Sequence, residues 1–210
     1  MTQQNNLPSW QSIADIANQL NLTLGESQCQ QLVTYLECLA QWNKAYNLTA
    51  IKQYDKMLSH HIADSLSIAP YIEGERILDV GTGAGLPGIP LAVLYPEKQF
   101  TLLDSVGKKI RFLREIVRKL NLTNVTLVES RVENFSCPDL FDMIVARAVA
   151  TVNKIVQQSA HVLRRDGCFV LQKGRFPQAE LDEVVQTFRV ESLMVPLLAA
   201  ERHVIIIGME

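Results

Sequence analysis

The stretch LDVGTGAGLPGIPLA, Leu78 to Ala92, sets a carboxylate, Asp79, before glycines at alternate positions, Gly81, Gly83 and Gly85. Glycines let the chain turn through φ angles closed to other residues and let a ligand approach the backbone closely. Gly83, Gly85 and Gly88 also fit G-x-G-x-x-G, the pattern of a loop that cradles a dinucleotide pyrophosphate. A second carboxylate, Asp104, stands about twenty residues past the glycines, where ribose hydroxyls are held in such sites. Together these features suit a nicotinamide dinucleotide and S-adenosylmethionine alike. Asp79 separates the two: beside the loop it repels a pyrophosphate but can help to hold the amino end of S-adenosylmethionine, whose carboxylate takes backbone N–H groups. A methyltransferase is the favoured reading and an NAD-dependent oxidoreductase the alternative. A turn without a ligand is a third, made costly by roughly 0.5–1 kcal/mol for each glycine.

Further along, ESRVENF offers Val132 to pack on a flat base and Glu133 to accept from an exocyclic amine. The same residues also read as a helix start, with Ser130 capping and Glu133 completing a capping box. In ARAVA, the guanidinium of Arg147 can clamp a carboxylate or an RNA phosphate in bidentate fashion. It can equally hydrogen-bond guanine O6, or be tied up in an ion pair with Asp142 or a neighbouring acid. Lys173 reads either as an RNA contact or as a solvated strand end. ARAVA lacks the Asn/Asp-Pro-Pro-Tyr signature of exocyclic-amine methyltransferases and offers no cysteine nucleophile of the kind a pyrimidine-C5 enzyme uses; Cys137-Pro138 precedes that strand.

These residues must be positioned by regular elements. From Arg76 onward, short apolar runs alternate with amphipathic stretches: RILDV (76–80), FTLLD (100–104), VTLVE (125–129), MIVARA (143–148), CFVLQK (168–173) and HVIIIG (203–208), with FRVESLMV before the last as its expected strand partner. Near-continuous hydrophobicity suits parallel strands covered on both faces by helices. The expected fold is α/β, an open doubly wound sheet whose ligands bind beyond the carboxyl ends of the strands. Asp79 to Gly85, Asp104, the loop after Glu129, Arg147 and Lys173 all fall at such ends.

Residues 1–70 read as a helical N-terminal extension, and 71–210 as the catalytic domain. Ile13, Ile16, Ala17 and Leu20 form one apolar stripe, and Leu32, Val33, Leu36, Leu39 and Ala40 another, entered through TLGE as a capping box. WNKAYNLTAI (42–51) reads as a loop and SHHIADSLSIAP as a short helix ending at Pro70. Here Asn47, Thr49, His61, Asp64 and Ser65 either line a base pocket or tie the helices to the catalytic domain.

The chain has 210 residues, 48% of them hydrophobic and 20% charged, ordinary values for a well-cored globular protein. A net charge of −2 argues against nucleic acid wrapped over the whole surface. It leaves room for a local patch, and SVGKKIRFLREIVRKL (105–120) presents one: Lys108, Lys109, Arg111, Arg114, Arg118 and Lys119 against Glu115 alone. Arg131, Arg164, Arg165 and Arg175 can extend it, although a basic face on a sheet-covering helix is also commonly just solvated. The cysteines, four in all, lack metal-ligand spacing, so reduced thiols and no bound metal are expected. No run approaches a membrane span, and the opening MTQQNNLPSW lacks the regions of a signal peptide; a cytoplasmic, monomeric protein is expected. The Asn-x-Ser/Thr triplets, such as Asn47-Leu48-Thr49 and Asn121-Leu122-Thr123, then read as turn and cap chemistry.

LDVGTGAGLPGIPLA, LLDSVGKKIRFL, ESRVENF and ARAVA together, with NKAYNLTAI and HHIADSLSI before them, resemble the bacterial ribosomal RNA small subunit methyltransferase G family, once named glucose-inhibited division protein B. The likeness spans roughly residues 40–175, with Ala84 where many relatives carry proline. It implies a mostly parallel seven-stranded sheet of the Rossmann-like, class I S-adenosylmethionine-dependent type. It further implies methyl transfer from S-adenosylmethionine to N7 of one guanine in the helix-18 hairpin of 16S rRNA, within the small subunit or its assembly intermediate. Cofactor contacts are implied at Gly81, Leu86, Val132, Glu133 and Arg147, with Asp104 on the ribose. Lys108, Lys109, Arg111 and Lys173 are the candidate RNA contacts. A non-catalytic RNA-binding module that keeps the loop is a further alternative.

Overall fold

The computed structural model describes residues 9–147 and 150–209. The MTQQNNLP portion of the opening segment, and Ala148 and Val149 of ARAVA, lie outside the described residues.

Two helices begin the chain, α1 (Trp10–Gln19) and α2 (Glu26–Tyr46). Ser9 caps α1 by accepting the Ser12 N–H at 3.2 Å. Of the capping box expected on TLGE, only the reciprocal half forms, two residues later. Gly25 is the N-cap, and its N–H donates to Gln28 Oε1 at 2.9 Å. The Gln28 amide then donates to the Val93 carbonyl at 2.7 Å, so the tertiary contact selects the cap. The loop expected from Trp42 begins only at Asn47. Trp42 packs on Phe112 at 5.6 Å between ring centroids and on Tyr46 at 5.2 Å, which carries the helix one further turn.

Asn21, Asn47 and Asn121 each end a helix in the left-handed conformation, with φ of 57°, 47° and 53°, and each opens an Asn-Leu-Thr triplet. Asparagine tolerates that conformation because its side chain satisfies the local backbone. The leucine that follows folds back, its N–H bonding Ala17 O from Leu22 and Val117 O from Leu122. The triplets are helix stops.

Three short segments follow without a break, α3 (Tyr54–Met57), a π-helical stretch (Leu58–Ala63) and α4 (Asp64–Leu66). The helix expected at SHHIADSLSIAP thus starts five residues earlier, and Pro70 lies in a separate 3₁₀ turn, Ala69–Tyr71. The remaining elements are β1 (Arg76–Val80), α5 (Gly88–Leu94), β2 (Gln99–Asp104), α6 (Gly107–Leu120), β3 (Val125–Glu129), β4 (Phe141–Arg147), α7 (Val152–Ser159), β5 (Leu163–Lys173), α8 (Gln178–Leu181), β6 (Phe188–Ser192) and β7 (His203–Gly208). Each expected strand is present, three of them with unchanged bounds.

The seven strands lie in the order β3-β2-β1-β4-β5-β7-β6. β1 to β5 are parallel, and β7 runs antiparallel between β5 and β6. Alternate residues supply two cores, as strands buried on both faces require. Met143, Val145 and Val170 face the layer of α1, α2, α5 and α6. Ile144, Ala146, Phe169 and Leu171 face that of α7. The N-terminal helices share the first core with the sheet, and Tyr35, Phe112 and Ile62 are fully buried in it. Strand order reverses between β1 and β4, the crevice where this architecture binds ligands.

Candidate active site at the β1–β4 crevice

After β1 the backbone takes positive φ at Gly81 (67°), Gly83 (63°) and Gly85 (96°). Anchors fix this path. The N–H groups of Gly81 and Thr82 donate to Leu103 O at 2.8 and 3.0 Å, Gly83 N–H donates to Asp104 Oδ2 at 2.9 Å, and Tyr35 donates its hydroxyl proton to Ala84 O at 2.9 Å. Asp79 lies wholly buried beneath the loop and lines neither of the cavities described below. Its Oδ2 accepts from the Thr82 hydroxyl at 2.7 Å and the Gly88 N–H at 2.9 Å. Burial pushes its pKa up to about 6 against the pull of those hydrogen bonds. The expected role of Asp79 beside the methionine end is thus replaced by one underneath, because the strand's alternation turns its side chain toward the start of α5. The helix expected from Leu86 starts at Gly88, with Pro87 as its cap. A Cβ at Gly88 would strike Leu102 and come within 2.7 Å of Asp79 Oδ2.

Two cavities open at the carboxyl ends of the strands. The first, about 450 Å³, runs from Gly81 past Asp104 to Val132 and Glu133. Asp104 is 4% exposed. Its Oδ1 accepts from Val106 N–H at 2.9 Å, and its Oδ2 also takes Lys109 Nζ at 3.0 Å. Val132 sits in a 3₁₀ turn, Val132–Asn134, whose cap is Arg131, so the capping box of Ser130 and Glu133 does not form. The Ser130 hydroxyl instead donates to Arg131 O, and Glu133 accepts from Gln158 Nε2 at 2.6 Å. With Arg131 as the cap, Glu133 stands at the second helical position rather than the third that a capping box needs.

The second cavity, about 430 Å³, is floored by Gly81 to Ala84 and Leu86. The N-terminal extension walls it with Leu48 to Ile51, His60, His61 and Asp64; Gln172, Lys173, Gly174 and Arg202 close the far side. Gly81 and Arg147 line both cavities and so form the partition between them. Gly85 lies under the loop, against Ile89 and Leu113.

Arg147 is held from the N-terminal side. Its Nη1 donates to His60 O at 2.7 Å and to Asp64 Oδ2 at 2.8 Å, while Arg202 Nε donates to Asp64 Oδ1 at 2.7 Å. Gln172 Nε2 adds a bond to Asp64 O at 2.7 Å. The acid partner is therefore Asp64; Asp142 pairs with Arg164 at 3.1 Å. His61 contacts Thr49 Oγ1 through Nε2 at 3.2 Å. Burial, and then the Arg147 charge, lower its pKa to about 4, so it is neutral at physiological pH. Thr49, His61 and Asp64 both line the cavity and tie the extension down. Asn47 ends α2 and Ser65 is buried away from the cavity.

The candidate RNA contacts divide. Lys109 is engaged by Asp104, and Lys108 donates to Tyr46 O at 2.8 Å. Lys173 is folded inward, donating to Ala150 O and Glu180 Oε2, both at 2.7 Å. Arg111 lies on the outer face of α6 beside Trp42, Arg114 and Arg118. Arg202, Gln172, Thr82 and Tyr35 belong to the site although sequence reasoning passed over them. Arg202 directly precedes HVIIIG, but only the antiparallel insertion of β7 brings the start of that strand to the ligand edge.

The family model described as rRNA small subunit methyltransferase G matches residues 28–205. A protein of Alteromonas mediterranea named ribosomal RNA small subunit methyltransferase G is 48% identical over 189 residues, covering 89% of this chain and 90% of that one. One of the same name from Photobacterium profundum is 45% identical over 200 residues, covering 94% and 97%. Among solved structures, an S-adenosylmethionine-dependent methyltransferase from Aquifex aeolicus superposes with a TM-score of 0.57 at 20% identity, over 74% of this chain and 93% of that one, which shows the shared fold. The family model and both relatives match over most of the chain, which makes the conclusion plain: the chain belongs to the ribosomal RNA small subunit methyltransferase G family.

Proposed function

We propose that this protein transfers a methyl group from S-adenosylmethionine to N7 of a guanine in the helix-18 hairpin of 16S rRNA, in the small subunit or its assembly intermediate. The observation that carries the reading is the pair of cavities separated by Gly81 and Arg147, one for a cofactor and one for an acceptor base. On this reading residues 71–210 are the catalytic unit, residues 1–70 complete the acceptor side, and the chain acts as a cytoplasmic monomer.

The residues present fit the cofactor. Asp104 Oδ1 accepts one hydrogen bond and keeps a lone pair for a ribose hydroxyl. Val132, Leu103 and Ile155 give apolar wall for a flat base, and Glu133 stands beside it for an exocyclic amine. Asp79 Oδ1 is a buried acceptor with no partner among the described residues, so negative charge under the glycine loop favours a cationic group above it. That arrangement disfavours the pyrophosphate of a nicotinamide dinucleotide. Bound S-adenosylmethionine supplies an electrophilic methyl on a cationic sulfur.

Guanine N7 brings its own lone pair, so the protein has no proton to remove before attack, and the neutral, desolvated His61 is in keeping with that. The protein's contribution is alignment, which can lower a barrier by several kcal/mol by fixing two reactants in advance. Arg147 leaves Nε and Nη2 without partners among the described residues. Those N–H groups can hold the cofactor carboxylate, a phosphate or guanine O6 at the partition. The lack of an Asn/Asp-Pro-Pro-Tyr segment and of a cysteine within ARAVA agrees with an acceptor that needs neither.

Two measurements test the proposal together. Calorimetric titration is expected to show binding of S-adenosylmethionine and none of NAD. Incubation of labelled cofactor with small subunits lacking the modification is expected to place the label in RNA. Tight NAD binding without S-adenosylmethionine binding, or label confined to protein, would overturn it.

A further inference from the structure

At the acceptor cavity the expected basic contact, Lys173, is turned inward onto Ala150 O and Glu180, with its side chain only 12% exposed. The residues that leave the protein surface there are the next ones. Gly174 lines the cavity, and Arg175 and Phe176 stand out into solvent. Phe176 is 47% exposed although it is among the most hydrophobic side chains of the chain. Its ring has one aromatic neighbour: it meets His203 edge-on, with 5.4 Å between centroids and planes at 86°. His203 is itself 9% exposed and contacts Gly174 O through Nδ1 at 3.2 Å, so the strand start supports both the ring and the cavity wall. Lys173 pairs with His203 in the β5–β7 ladder, which puts this corner at the ligand edge of the sheet.

We propose that Arg175 and Phe176 form a nucleotide subsite next to the acceptor cavity, where Phe176 stacks on an unpaired base flanking the target guanine and Arg175 neutralises its phosphate. The inference rests on the methyltransferase reading above and adds to it the place where the neighbouring RNA is gripped. Charge favours RNA as the occupant: Arg147 and Arg202 line the adjoining cavity wall, their carboxylate partner Asp64 is shared between them, and Arg175 adds a further cation. The chemistry also fits. Proteins that read single-stranded RNA splay bases out and stack them on aromatic side chains, with cations along the backbone. An exposed ring packed against His203 at the rim of the cavity provides such a platform.

The test is steady-state methylation of small subunits lacking the modification, with the variants Phe176→Ala, Phe176→Leu and Phe176→Trp. Loss of one base stack is expected to raise the subunit KM roughly 5- to 150-fold in Phe176→Ala, with a much smaller change in kcat. Phe176→Leu keeps apolar bulk but no ring face and is expected to behave like the alanine variant, whereas Phe176→Trp restores KM. Phe188→Ala, an exposed phenylalanine at the opposite edge of the sheet, serves as the control and leaves KM unchanged. Calorimetric affinity for S-adenosylmethionine reports folding independently and stays at the wild-type value throughout. Ultraviolet cross-linking is expected to join the Phe176 peptide to an rRNA nucleotide. An unchanged KM in Phe176→Ala, rescue by leucine as full as by tryptophan, or a cross-link to a ribosomal protein would overturn the subsite while leaving the methyltransferase reading intact. Wild-type protein that methylates no ribosomal RNA would overturn both.

Discussion

Replacing Asp64 by asparagine removes the charge that Arg147 and Arg202 share, and the structure sets the size of the effect. The carboxylate side chain is 4% exposed and each arginine 18%. Asparagine keeps one acceptor oxygen, which can serve Arg147 or Arg202 but not both, and its amide then faces the other guanidinium donor to donor. A hydrogen bond to a charged group contributes about 1.5–3 kcal/mol, and removing one partner of a buried pair costs about 3–5 kcal/mol. Each arginine side chain is still 18% exposed, so the lower end applies, about 2–3 kcal/mol. Total stabilities of about 5–15 kcal/mol leave such a variant folded at 25 °C. For a chain of this size the loss corresponds to a fall in Tm of about 4–12 °C. Urea and thermal unfolding measure that fall, and single-turnover methylation at saturating cofactor measures its effect on the site. Because Arg147 stands in the partition, activity is expected to drop at least about tenfold, further than the loss of folded protein explains. In an Arg202→Ala background the one remaining oxygen serves Arg147, so Asp64→Asn costs much less there, and the cycle shows coupling of about 1–3 kcal/mol. Wild-type Tm and wild-type methylation in Asp64→Asn, or strict additivity in the cycle, would refute the reasoning.

Other outcomes follow from the same geometry. Arg147→Ala lowers methylation well beyond any loss of folding, and near-normal turnover would remove Arg147 from the partition. Asp79 is held by burial with a pKa raised from 3.8 to about 6. A raised carboxylate favours the folded state below its unfolded pKa, and that contribution is lost as pH rises through about 6. The stability difference between wild type and Asp79→Asn therefore shifts against wild type by about 3 kcal/mol from pH 3 to pH 8, read from urea midpoints; a difference independent of pH would contradict the burial argument. Gly88→Ala forces a methyl group onto Leu102 and Asp79 and is expected to destabilise by about 1–3 kcal/mol, detectable as a lowered Tm with weakened cofactor binding.

The sheet was legible because its strands are buried on both faces, and continuous apolar runs such as RILDV and VTLVE are what such burial requires. Helix ends in the extension were less legible, since they depend on tertiary partners: Gln28 chooses its cap by reaching α5, and Trp42 prolongs α2 by packing on α6. The glycine loop could be read from spacing, but the depth of Asp79 could not, because strand alternation and the layer of α5 decide which way its side chain points. Arg147 was legible as a lone cation at a strand end. Its partner Asp64 lies 83 residues earlier in the chain, and no local pattern links the two. Lys173 and Glu180 illustrate the same limit in reverse, a strand-end lysine withdrawn from solvent by an acid in the following helix.

The central claim is that the acceptor atom beside the Gly81–Arg147 partition is guanine N7. Methylation at N7 leaves a purine whose ring opens after borohydride reduction, so that aniline then cuts the RNA strand at that nucleotide alone. Small subunits lacking the modification, treated with this protein and S-adenosylmethionine, are predicted to show one new scission, at a single guanine of the helix-18 hairpin. Methyl label in the rRNA without any new scission, or scission at a guanine elsewhere, would contradict the account.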